Sequence, residues 1–302
     1  MGRAVPWPPQ AGRVGENDGM SGLHVHRVTT DDGALLSAYI REPVGAPTGT
    51  VVLGHGWILD HRSWLPVLRT LDPSLRVVLW DQRGHGSSTL AGGSRKVGHQ
   101  SIKRLGADLR SVISELTPAD EQLVLGGHSM GGMTILAYAG IAPEEFAARV
   151  RGVVLVSTAA GGLRGTGRPG ERRVMSALRH VGVPLGRGMT EKAHRAAAFG
   201  RGADPADVHD ATVITRGTRL SVVGGFYDAL MQHDEVAALA GMQNVPTRVL
   251  VGRRDRLTPP TLAQRIAAGL PAAELTTFDD LGHMLPWEAP DQVAKAIEDL
   301  AR

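Results

Sequence analysis

A single serine, Ser129, stands in the stretch GGHSMGG at residues 126–132, directly after the apolar run QLVL. A serine hydroxyl is almost fully protonated at neutral pH, so it attacks a carbonyl only when it is exposed and within reach of a base. A sharp strand-to-helix turn supplies the exposure, and small residues two before and two after the serine relieve the crowding. Gly127 and Gly131 occupy those places. With QLVL as strand and MTILAYAG as helix, the Met130 amide falls at a helix N-terminus, where the backbone dipole favours a developing oxyanion. A second donor is expected from the turn after an earlier strand, and GTVVLGHGW offers the amide of Trp57. Trp57 and its neighbour Ile58 are also expected to meet the substrate.

Of twelve histidines, His283 in DDLGHMLPWE is the expected base, on a loop between the strand candidate ELTTF and the last helix. His128 adjoins Ser129 but is expected to point away from it. His55 and His85 lie in glycine turns and suit structural hydrogen bonds, whereas His194, His209 and His233 read as surface residues. The acid expected to orient the imidazole is Asp255, at the end of RVLVGRR, where it would accept the Nδ1 proton and stabilise the imidazolium. No carboxylate follows GVVLVST, and Asp279 and Asp280 stand too close to His283 in sequence to face its ring. Helix capping is the competing reading of Asp255, but Thr258 suits that role better.

These residues need a scaffold that brings distant loops to one edge. Short β-branched runs recur at 49–56, 76–82, 122–129, 152–158 and 247–255, bounded by Gly, Pro or Asp, and are of the kind buried on both faces of a parallel sheet. Helix-period segments such as 101–116 and 130–142 separate them, which is the α/β pattern. LHVHRVTT and ALLSAYI, around Asp31, Asp32 and Gly33, predict an antiparallel hairpin at the sheet edge. After Ser157 the alternation stops, and helical patterns at 171–182, 189–199, 205–215 and 218–230 predict a helical insertion over 160–242. Pro290 is expected to open the final helix. Residues 1–22, rich in proline, glycine and polar residues, read as a disordered leader.

The order Ser129, Asp255, His283, together with HGW, DQRGHGSS, GGHSMGG, GRRDRLTPP and LGHMLPWEAP, resembles the α/β-hydrolase superfamily from about residue 23 to the C-terminus. The resemblance implies a mostly parallel eight-stranded sheet with helices on both faces. It also implies a helical cap at 160–242, inserted after strand six into a core of 23–159 and 243–302. Asp81, Arg83 and His85 would then be scaffold. HGWILDHRSW is most similar to aryl esterases and cofactor-free haloperoxidase-like perhydrolases, although Ile58 stands where the perhydrolases carry proline. A serine nucleophile implies an acyl-enzyme route on a small ester, lactone or thioester. Carbon–carbon bond hydrolysis or cyclisation is the alternative on the same fold, and ligand binding without turnover is the alternative of another class.

Composition narrows the field further. Absence of cysteine excludes disulfides, zinc-thiolate sites and a cysteine nucleophile. No H-E-x-x-H or comparable ligand cluster occurs, so no metal is expected, and the chemistry requires no cofactor. The pI of about 9.6 hides a net charge of only +3, and with three tyrosines and four phenylalanines for base stacking nucleic acid is not the expected partner. A small-molecule substrate is expected instead. Residues 161–203 carry nine arginines or lysines against Glu171 and Glu191, which reads as a solvated outer face or as attraction for an anionic substrate. No membrane span and no secretory h-region are visible, which makes cytoplasmic the default expectation. Substrate identity and oligomeric state depend on surface shape that motifs do not encode.

Overall fold

The computed structural model describes residues 22–94, 97, 98, 100–163 and 170–302. The expected leader, apart from Gly22, lies outside the described residues, as do Arg164 and Arg168 of the basic stretch. The β-branched runs become strands β1 (Leu23–Thr29), β2 (Leu35–Arg41), β3 (Gly49–Gly54), β4 (Leu75–Trp80), β5 (Leu123–His128), β6 (Val150–Val156), β7 (Thr247–Gly252) and β8 (Ala273–Phe278). They form one eight-stranded sheet in the order β1-β2-β4-β3-β5-β6-β7-β8. The edge hairpin is antiparallel, β2 is antiparallel to β4, and every later pairing is parallel.

The helices are α1 (Leu65–Thr70), α2 (Ile102–Leu116), α3 (Met130–Ile141), α4 (Pro143–Arg149), α5 (Glu171–Leu178), α6 (Glu191–Ala198), α7 (Pro205–Gly217), α8 (Leu220–Met231), α9 (Pro260–Gly269), α10 (Leu285–Glu288) and α11 (Pro290–Ala301). Two apolar layers clothe the sheet. One joins it to α2, α3, α4 and α9 through residues such as Ile113, Tyr138, Phe146 and Ile266; the other joins it to α1 and α11 through Val67, Leu68, Val293 and Ile297. The chain moves from β3 to β4 on one side and then to β5 on the other, so β3 and β5 flank a topological switch point. Loops leaving their carboxyl ends must diverge there, and a crevice opens.

Helices α5 to α8 follow one another between β6 and β7. Their starts are chemically marked: the Thr190 hydroxyl accepts the Ala193 amide ahead of α6, and the Asp204 carboxylate accepts the Ala206 amide ahead of α7. Helix α5 ends earlier than the periodicity predicts, four residues short of Gly182, with Pro184 close behind to prevent continuation. Helices α6 and α7 share an apolar cluster with Leu59, Met284 and Trp287, while α8 packs on Leu105, Met130 and Met133. The segment therefore rests on Leu59, on Met284 and α10, and on helices α2 and α3. Among the described residues no helix is long and apolar enough to cross a membrane.

Candidate active site

Sheet register decides which loops meet. Gly54 of β3 lies opposite Gly127 of β5, so Trp57, three residues further on, comes beside Ser129, two residues beyond Gly127. His128 lies opposite Val156, Val156 opposite Leu250, and Gly252 opposite Phe278, which carries the same edge across to the loops of Asp255 and His283. Residues scattered over more than two hundred positions of sequence thus converge through strand pairing alone.

Ser129 sits at φ 51° and ψ −115°, a conformation nearly closed to residues with a Cβ. The fold holds it there. The Ser129 amide donates to the Val156 carbonyl at 2.9 Å, and its own carbonyl accepts the Thr158 hydroxyl at 2.6 Å. Close approach explains the glycines: a Cβ on Gly127 would lie 2.5 Å from the Gly131 carbonyl carbon, and one on Gly131 would lie 2.1 Å from the Gly54 oxygen. Only a bare backbone permits α3 to start so near β3.

His283 Nδ1 donates to Asp255 Oδ2 at 2.8 Å, with His283 5% and Asp255 4% exposed. Burial pushes the Asp255 carboxyl up, but the adjoining imidazole and the hydrogen bonds from His283 and Thr258 outweigh it and leave the group below the usual carboxylate range. Oδ1 accepts the amides of Leu257 at 2.9 Å and Thr258 at 2.8 Å. The Thr258 hydroxyl lies 2.8 Å from Oδ2 and from the Ser157 carbonyl. This corrects the sequence reading of Thr258 as a helix cap. Pro259 takes the cap position of α9, and Thr258 instead braces the acid.

Ser129, His283, Trp57 and Ile58 all line one cavity of about 290 Å³. No hydrogen bond joins the Ser129 hydroxyl to His283, a contact that commonly tightens only around a substrate. Among the described residues no acceptor takes the amide protons of Trp57 or Met130. Ile58 has φ 60°, a strained value for a β-branched residue, and its carbonyl accepts the Thr218 hydroxyl at 2.9 Å. Proline cannot take that φ, so the departure from the perhydrolase pattern at this position is built into the backbone.

Two histidines stand differently from their sequence reading, and His128 finds a partner in the loop of His283. The His128 ring lies 4.9 Å from that of His283, its Nε2 donates to the His283 carbonyl at 2.9 Å, and it lines the cavity. His194 and His233 are buried at 5% exposure rather than on the surface, and His194 also lines the cavity. His209 is exposed and pairs with Glu191. The signal that marks His194 in the sequence is its i, i+4 spacing with Ala198 on the apolar face of α6.

Much of the remaining wall is apolar and adaptable, with Met133, Met189, Met231 and Met284 among its side chains. None of the described arginines or lysines of 161–203 reaches it. The cavity's arginine is Arg256, which donates to the Ala196 carbonyl at 3.2 Å. Behind the site, Asp81 accepts the amides of His61 and Ser87, the Nδ1 proton of His61 and the Tyr39 hydroxyl, in keeping with a scaffold role for DQRGHGSS. Asp60, His61 and Asp81 bring ligand-type atoms within 4.8 Å of one another, but Asp60 is taken by Arg62 and Asp81 by the contacts just described.

Comparison with known proteins shows the family and the fold. A model described as the Alpha/beta hydrolase family matches residues 51–296. The chain is 32% identical over 117 residues to 3-oxoadipate enol-lactonase 1 of Acinetobacter baylyi, a match spanning 39% of this chain and only 40% of that protein. It is 27% identical over 279 residues to the 2-hydroxy-6-oxononadienedioate/2-hydroxy-6-oxononatrienedioate hydrolase of Cupriavidus pinatubonensis, which covers 86% of this chain and 89% of that protein. Among solved structures, a thermophilic esterase from Thermogutta terrifontis superposes with a TM-score of 0.74 at 24% identity, over 91% of this chain and 97% of that one, and shares the fold.

Proposed function

We propose that the chain, which belongs to the alpha/beta hydrolase family, is a hydrolase of carboxylic-ester type that cleaves a small ester, lactone or thioester through an acyl-enzyme on Ser129. One juxtaposition carries the reading: His283, hydrogen-bonded to Asp255 at 2.8 Å, opens on the same cavity as a serine held at φ 51°. His283 Nε2 takes the Ser129 proton as Oγ attacks the carbonyl carbon. The oxyanion then meets the free amides of Trp57 and Met130, and His283 returns the proton to the leaving oxygen or sulfur. Water, activated by the same imidazole, releases the acid and restores Ser129. Asp255 fixes the tautomer and supports the imidazolium.

In this reading residues 160–242 act as a cap over a core of 23–159 and 243–302, with α6 and α8 contributing His194, Tyr227 and Leu230 to the cavity wall. A volume of about 290 Å³ suits a short acyl chain. Aryl esters of increasing acyl length, short lactones and thioesters assayed in parallel should show turnover that peaks at short chains, with a burst of the aryl leaving group. Inertness toward all three classes would contradict the proposal.

Carbon–carbon cleavage by the same residues is the second reading. Similarity to the dienedioate hydrolase over most of the chain favours it. Product analysis with a vinylogous diketo acid separates the two: cleavage there faster than of any ester would favour this reading.

A further inference from the structure

His194 is a buried cavity histidine that the chemistry above leaves without a task. Its Nδ1 lies 2.9 Å from the Thr212 hydroxyl oxygen, and that oxygen lies 2.6 Å from the Val208 carbonyl one turn back on α7. Two oxygens approach so closely only with a proton between them, and the carbonyl has none, so Thr212 donates to Val208. Its remaining lone pairs face His194, whose Nδ1 must therefore carry a proton. In the neutral ring Nε2 is then a bare acceptor, and among the described residues no protein group pairs with it. Burial and then the His283 charge hold the imidazole down at about 4, which keeps it neutral near pH 7. No carboxylate contributes to that shift, so His194 is not a second acid–base pair.

We propose that His194 is a specificity-determining residue whose Nε2 accepts a hydrogen bond from a hydroxyl on the substrate, so that the enzyme prefers hydroxylated acyl groups. A carboxylate is unsuited to this spot, because its lone pairs would oppose that of Nε2. The inference rests on the reading that this cavity holds the substrate of Ser129.

Binding of non-hydrolysable aryl ketones tests it without relying on turnover. Calorimetry would compare an unsubstituted ketone with a series in which a hydroxyl is walked along the acyl chain. At one position the hydroxyl should tighten binding to the wild type by about three- to tenfold. His194→Leu should bring that ratio to about one, and His194→Gln, which still presents an acceptor, should retain part of it. General disorder of the cavity weakens both ligands alike and leaves the ratio unmoved. A series that fails to bind, a wild type with no preferred hydroxyl position, or a preference that survives in His194→Leu overturns the proposal. Persistent ester turnover by Ser129→Ala would instead overturn the nucleophile assignment while leaving the ketone ratios readable.

Discussion

Both oxygens of Asp255 are occupied, Oδ1 by the Leu257 and Thr258 amides and Oδ2 by His283 Nδ1 and the Thr258 hydroxyl. Asparagine keeps the shape but can turn an N–H toward Nδ1, which favours the wrong imidazole tautomer. Asp255→Asn should therefore lower kcat on an aryl ester by about 10³- to 10⁴-fold with KM little changed. Steady-state kinetics check this, and a loss below tenfold would remove Asp255 from the proposed mechanism. At this scale Ser129, Asp255 and His283 were legible because each follows a recognisable strand and two glycines frame the serine. Thr258 was not: its hydroxyl points to Asp255 rather than into α9 because Pro259 intervenes and takes the cap position ahead of Pro260. His194 carried only its i, i+4 spacing with Ala198 as a signal, and the packing of α6 against α7 decides that this face is dry.

At the scale of elements, Glu288 ties the β6–β7 segment to the loop of His283. Its carboxylate accepts the amides of Gly200 at 2.6 Å and of Gly282 and Met284 at 3.1 Å, while the His283 amide donates to the Ala198 carbonyl at 2.7 Å. Burial raises the Glu288 carboxyl, and these amide donors oppose it. Glu288→Ala removes one acceptor from three amides and should destabilise the protein by about 2–3 kcal/mol, with activity falling as the His283 loop loosens. Urea titration and an ester assay measure both effects; an unchanged midpoint would show that the latch contributes nothing. The strands themselves were legible from β-branched runs bounded by glycine. The exact docking of α5 to α8 was not, because it depends on contacts such as Leu59 with Met284 and Trp287, which bring residues from remote loops together.

Across the whole molecule, burial has left several histidines uncharged. It holds His85 and His128 down at about 3 and His194 and His233 at about 4, against about 6.5 in an unfolded chain. Below about pH 6.5 the unfolded chain takes up protons that the folded one refuses, so stability is greatest above that value and falls as the pH drops toward 4. Each group contributes up to about 1.4 kcal/mol per pH unit within the window. Asp81 extends the loss: burial raises it, but His61 beside it outweighs that and leaves it at about 2, so its contribution is present above about pH 4 and disappears toward 2. Thermal unfolding from pH 7.5 to 4.5 should show Tm falling steadily from about pH 6.5, and a flat profile would contradict neutral burial of these rings. Composition announced the many histidines, but only the packed structure reveals how many are kept from water.

The assignment of Ser129 as nucleophile is tested most directly by treating the wild type and Ser129→Ala with a fluorophosphonate, locating the adduct by mass spectrometry and assaying both proteins on an aryl ester. The account predicts a single adduct on Ser129, with labelling and turnover lost together in the variant by at least about 10³-fold. An adduct on another residue, or ester turnover undiminished in Ser129→Ala, would contradict it.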